Sequence, residues 1–214
     1  MTKKVPLNIV FILPAMTAGG AERVLITLMN GLDRTRYTPA LVSFSDKGPM
    51  AELIDKDIPF HCLFSSVKAG LPRLYKKLKT MQPDIVVSTM AHTNFAVLLL
   101  KRLFPNTKFI VREAITPSFI LRRHPRLAPL IKLAYRTLYR TADLVISPAQ
   151  TIVDEFTALG MEPGSYKVLH NPVDSEKIRT ADLPQRDDDN TTEFICAGRL
   201  HHQKGYDRLL KILP

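Results

Sequence analysis

Only two cysteines, Cys62 and Cys196, occur in the 214 residues. They lie far apart, each in an apolar run that reads as a buried strand. Neither a disulfide framework nor a cysteine metal motif follows, and a reducing cytoplasm is the expected setting. No apolar run approaches the ~20 residues needed to span a bilayer, so any membrane association is expected to be peripheral. Asn8 interrupts the apolar run that follows Lys3 and Lys4, which favours a first strand over a signal peptide. Low-complexity tracts are missing as well. With 45% hydrophobic and 23% charged residues, the composition points to a soluble globular α/β protein.

Acid is missing between Ile120 and Arg140, a stretch holding Arg122, Arg123, Arg126, Lys132, Arg136 and Arg140. It accounts for much of an overall excess of 30 lysines and arginines over 20 aspartates and glutamates. Such a stretch meets phosphate-bearing lipids, nucleic acid or anionic substrates, or is a solvated helix face. Leu130, Ile131, Leu133, Ala134 and Leu138 fall near one helical face, which either packs on a sheet or rests on an anionic bilayer. No nucleic-acid recognition motif accompanies the charge, so nucleic acid is not an expected partner.

What the chain does contain is an alternation of short β-branched runs with helix-length amphipathic stretches, the pattern of a doubly wound parallel α/β sheet. Strands are expected at 7–13, 40–44, 60–64, 84–88, 108–112, 144–147 and 167–170. Pro49 suits a helix start and Gly160 a helix stop. Because Pro125 and Pro129 interrupt the basic stretch, its regular helix should run from Pro129 to Arg140. These elements form one Rossmann-like domain over residues 1–175. Residues 176–192 read as a polar linker, in which Asp187, Asp188 and Asp189 are solvent-facing charge rather than a metal site. Residues 193–214 supply one strand and one helix, too little to enclose a core, so they are expected to open a second, truncated Rossmann-like domain.

Ligands of an open α/β sheet sit beyond the carboxyl ends of its strands. After the first strand comes Gly19-Gly20-Ala21-Glu22-Arg23, where glycine lets backbone approach a ligand and a helix N-terminus favours an anion. A tight strand-to-helix turn is the plain alternative. The G-x-G-x-x-G spacing of a nicotinamide oxidoreductase is missing, although Asp46 stands at a tolerable distance for a ribose partner. In Gly198-Arg199-Leu200-His201-His202-Gln203-Lys204-Gly205, Arg199 and Lys204 could converge on one anion, such as a departing nucleoside diphosphate. His201 and His202 read as polar loop residues. His92, after the fourth strand, either contacts substrate hydroxyls or is an ordinary hydrogen-bonding loop histidine.

The Gly-Gly-Ala-Glu-Arg turn, Val111-Arg112-Glu113, His170-Asn171-Pro172-Val173-Asp174, and Ala197-Gly198-Arg199-Leu200 with Lys204-Gly205 together resemble glycosyltransferase family 4, in the family's order. That resemblance implies a GT-B fold of two Rossmann-like domains. It also implies transfer from a nucleotide-sugar donor to a glycan or lipid-linked glycan with retention of configuration, with no cofactor and usually no metal. By the same carry-over Arg199 and Lys204 grip the donor diphosphate, and Gly19 and Gly20 let the first domain close on it. Arg112 and Asn171 fall at the cleft, and His92 and Glu113 are the catalytic candidates. Where many relatives carry a histidine after the fifth strand, this sequence has Arg112-Glu113. Glu113 either joins the cleft chemistry or pairs with a nearby arginine. The family's paired glutamates would lie beyond Pro214, so this chain is expected to be inactive by itself. The expected location is cytoplasmic, with the basic stretch allowing peripheral contact on the inner face of the cytoplasmic membrane. The alternatives are a non-catalytic carbohydrate- or membrane-surface-binding module and, ranked lower, a nucleotide-cofactor oxidoreductase.

Overall fold

The computed structural model describes residues 5–173, 179, 194–198, 200 and 204–212. The chain divides into two compact units, Met1–Val173 and Asp174–Pro214. The first unit is a seven-stranded sheet. Its strands are β1 (Leu7–Leu13), β2 (Tyr37–Ser43), β3 (Phe60–Cys62), β4 (Ile85–Thr89), β5 (Lys108–Arg112), β6 (Leu144–Ser147) and β7 (Tyr166–Val168). The spatial order is β3-β2-β1-β4-β5-β6-β7, and every pairing is parallel. Six helices accompany them: α1 (Gly20–Asn30), α2 (Leu71–Met81), α3 (Ala91–Leu100), α4 (Pro117–Arg123), α5 (Ala128–Leu138) and α6 (Gln150–Ala158). This is the doubly wound, Rossmann-like arrangement expected from the alternation of strand and helix patterns.

Side chains of a strand alternate between faces, and β1 shows how that builds two cores. Ile9, Phe11 and Leu13 pack with Leu25, Ile26 and Met29 of α1 and with Met50 of the 3-10 turn Pro49–Leu53. Val10 and Ile12 face the other way, joining Leu74 and Leu78 of α2, Val97 of α3, Tyr135 of α5 and Phe156 of α6. A central strand buried on both faces therefore reads as a continuous apolar run, which is what Ile9-Val10-Phe11-Ile12-Leu13 is. At the amino edge, carboxylates take up strand-entry N–H groups. Asp84 accepts from Asn8 at 2.7 Å and Asp143 from Phe109 at 2.8 Å.

Two segments depart from the sequence-based expectation. The basic stretch carries α4 as well as α5: Pro117 opens the first helix, and the break at His124-Pro125 ends it before Ala128 begins the second. Proline at a first helical turn costs no hydrogen bond, so the same residue type that breaks one helix starts another. In the second unit Phe194–Ala197 forms no strand, and the helix is short, Tyr206–Leu209. A strand is defined by its ladder, and the described residues offer this segment no neighbour to pair with. The proposed linker and its Asp187, Asp188 and Asp189 lie outside the described residues. Among the described residues no helix is long and apolar enough to cross a membrane.

Candidate active site at the carboxyl edge of the sheet

The strand order reverses between β1 and β4, so the crevice beyond their carboxyl ends is the topological switch point of the sheet. Two helices begin there. Gly19 precedes α1 and Met90 precedes α3, and neither helix has a side-chain cap on its first turn. Uncapped N–H groups at helix starts are partial positive charges awaiting an acceptor. Behind the α1 turn lies Glu22, only 2% exposed. Its Oε1 accepts the Thr17 hydroxyl at 2.6 Å, while Oε2 is buried with no partner. A Cβ on Gly19 would stand 2.1 Å from that Oε2, whereas a Cβ on Gly20 would meet nothing within 4 Å. Gly19 is thus required by the protein behind it, and Gly20 leaves open space in front.

Next to this turn, between β4 and β5, is a buried polar network. Ser88 donates to Asn94 Oδ1 at 2.7 Å; Asn94 Nδ2 donates to the Arg112 carbonyl and to the Tyr139 hydroxyl, each at 3.0 Å. Tyr139 in turn donates to Glu113 Oε2 at 2.5 Å, and Tyr135 donates to the same oxygen at 3.3 Å. Burial pushes the Glu113 carboxyl up to about 7, against the lowering effect of Tyr139, Tyr135 and the N–H groups of Ile115 and Ala114. The two tyrosines are held edge-on to each other and to Phe95, so their hydroxyls have little freedom. Arg112 is 3% exposed, and its guanidinium donates to Thr89 Oγ1 at 3.4 Å and to Asn171 Oδ1 at 2.6 Å. Desolvation lowers its pKa, with Glu113 opposing. Both partners are neutral, and among the described residues Arg112 has no carboxylate in ion-pair contact.

The model of Glycosyltransferase Family 4 matches residues 18–177. The chain belongs to glycosyltransferase family 4. Solved structures share its fold. HepE of Anabaena, in complex with UDP-glucose, superposes with a TM-score of 0.61 at 18% identity, over 78% of this chain and 44% of that one. The lipopolysaccharide outer core galactosyltransferase WaaB, in its apo form, gives 0.56 at 17% identity, over 78% and 46%. Sucrose-phosphate synthase of Thermosynechococcus elongatus gives 0.61 at 10% identity, over 77% and 48%. The chain therefore covers less than half the length of each of these structures. No curated protein matches it by sequence.

Within this family 4 fold the candidates separate by depth. Gly19 and Gly20 lie at the switch-point turn. His92 is exposed in the first turn of α3 rather than in a loop. Surrounding protein desolvates its imidazolium and lowers its pKa, with Glu22 pulling the other way. Arg112 and Asn171 are joined by their hydrogen bond. Glu113, 1% exposed, faces into the domain, and no arginine among the described residues is in ion-pair contact with it. Arg199, His201 and His202 lie outside the described residues, and Lys204 is exposed in the second unit. Sequence reasoning missed Asn94, Tyr135 and Tyr139. Their only signal was polar character on otherwise apolar helix faces, a pattern common to many helices. No cluster able to hold a metal ion occurs among the described residues.

Proposed function

We propose that this family 4 chain serves a retaining glycosyltransferase that moves a sugar from a nucleotide-sugar donor to a glycan or lipid-linked glycan. The observation that carries the reading is the Gly19-Gly20 turn at the switch point, with an uncapped helix start behind it and unfilled space at Gly20. In this account the donor diphosphate approaches the α1 N-terminus, where backbone N–H groups receive its charge without a metal. By the family resemblance, Arg199 and Lys204 are the cation candidates for a departing nucleoside diphosphate. His92, exposed and held toward its neutral form, is suited to accept a hydrogen bond from a sugar hydroxyl or donate one to it.

Glu113 has a different part. A buried carboxyl held by two tyrosine hydroxyls and two backbone N–H groups does not reach substrate; it positions Tyr139 and, through the adjacent backbone, Arg112. Arg112 in turn holds Asn171, so the cleft edge and the chain leading out of the first unit share one anchor. Itself buried, Arg112 acts on the cleft edge through Asn171 rather than by meeting a ligand directly.

Calorimetric titration tests this reading against the oxidoreductase and the binding module. The protein is expected to bind a UDP- or GDP-sugar in preference to both NAD and the free sugar. Tighter binding of NAD, or binding of free glycan with no response to any nucleotide-sugar, contradicts it.

A further inference from the structure

The apolar residues of the basic stretch do not share one fate. Tyr135 of α5 is fully buried, and Ile131, Leu138 and Leu121 pack against the core. Leu127, Leu130 and Leu133 point elsewhere and are 50%, 64% and 57% exposed. The two readings of the amphipathic pattern are therefore both realised: one side of α5 packs on the domain, and a second apolar strip is left to solvent. Around that strip stand Arg122, Arg123, Arg126 and Lys132, all exposed and none in an ion pair among the described residues. Arg136 is committed elsewhere, donating to the carbonyls of Gly160 and Leu159. The carboxylate that meets α4 from the neighbouring helix, Glu155, is occupied by the Ser118 N–H at 2.9 Å.

We propose that the surface of α4 and α5 formed by Leu127, Leu130 and Leu133 with Arg122, Arg123, Arg126 and Lys132 docks on an anionic lipid bilayer. Cations alone would suit any polyanion. Leucines set among them add a term that only an interface with an apolar layer beneath its charge rewards, since each buried CH2 is favourable and a nucleic-acid backbone offers no such layer. Each cation near an anionic bilayer strengthens partitioning roughly fivefold, so three together contribute roughly a hundredfold. The inference extends the acceptor half of the proposed function without depending on donor chemistry.

Co-sedimentation with vesicles of phosphatidylcholine, with and without phosphatidylglycerol, tests it in the absence of donor and acceptor. Loss of nucleotide-sugar binding would therefore leave it standing. The protein is expected to pellet with the anionic vesicles and not with the neutral ones. Replacing Arg122, Arg123 and Arg126 by serine should weaken partitioning roughly a hundredfold. Leu130→Ser with Leu133→Ser should weaken it at least about tenfold. All of these positions are exposed, so melting temperatures should match the parent chain. Absence of parent-chain binding to anionic vesicles overturns the proposal whatever the variants do. So does parent-like binding by either variant, or a preference for duplex DNA that ignores the leucine replacements.

Discussion

A carboxyl buried without a cation must take its stabilisation from hydrogen bonds, and Glu113 shows the consequence. Its pKa of about 7 stands against an ordinary 4.5, a gap worth about 3 kcal/mol. Because the folded value is raised, the contribution is complete below about pH 4.5, where folded and unfolded chains both hold the proton. It is lost as pH rises through about 7. Glu113→Gln should flatten this fall; chemical denaturation at intervals between pH 4.5 and 8 measures it, and an unchanged slope would remove Glu113 as its source. Gly19 makes a second residue-scale test. Its replacement by alanine drives a Cβ into Glu22 Oε2, a clash between buried groups that should cost about 1–3 kcal/mol. In a Glu22→Ala background the same change should cost far less, and a double-mutant cycle by thermal denaturation reads the coupling.

Elements were more legible in the sequence than the contacts among them. All seven strands of the first unit could be placed, most of them as apolar runs between turn signals, and β5 and β6 fall within the residues expected. β2 and β7 start earlier than expected, at Tyr37 and Tyr166, where polar neighbours conceal the period. α4 was hidden because Pro125 and Pro129 read as interruption of the basic stretch, while the proline that starts this helix, Pro117, lies just ahead of it. The Asn94 network could not be read at all: it joins α3, β5 and the turn Tyr139–Thr141 after α5, residues up to 45 positions apart. Spacing within one element carries no information about such a meeting. Tyr139→Phe isolates it. Removing the hydroxyl takes a donor from buried Glu113 and an acceptor from Asn94, which should cost about 1–3 kcal/mol. It should also raise the Glu113 pKa further, since that hydrogen bond lowers it. Urea melts and a carbon-detected NMR titration of the glutamate carboxyl check the two parts; a fall in the pKa would contradict the assignment.

For the whole molecule, the order of the strands determines where chemistry can gather. The switch point between β1 and β4 brings the glycine turn, His92 and the Arg112–Asn171 anchor to one edge, while ion pairs such as Lys108 with Asp143 occupy the other. Motifs spaced over the chain therefore become a site only through the sheet, which is why they were recognisable in sequence while their depth was not. Gly20 gives this account its most direct test, because its front is open and its replacement leaves protein contacts untouched. A valine there should leave the melting temperature within about 2 °C of the parent, since exposed substitutions away from special contacts are nearly neutral. Calorimetry of the same Gly20→Val protein with a nucleotide-sugar should show binding at least about tenfold weaker, a loss of about 1.4 kcal/mol. Unchanged affinity in a protein of unchanged stability would contradict a donor site at this turn.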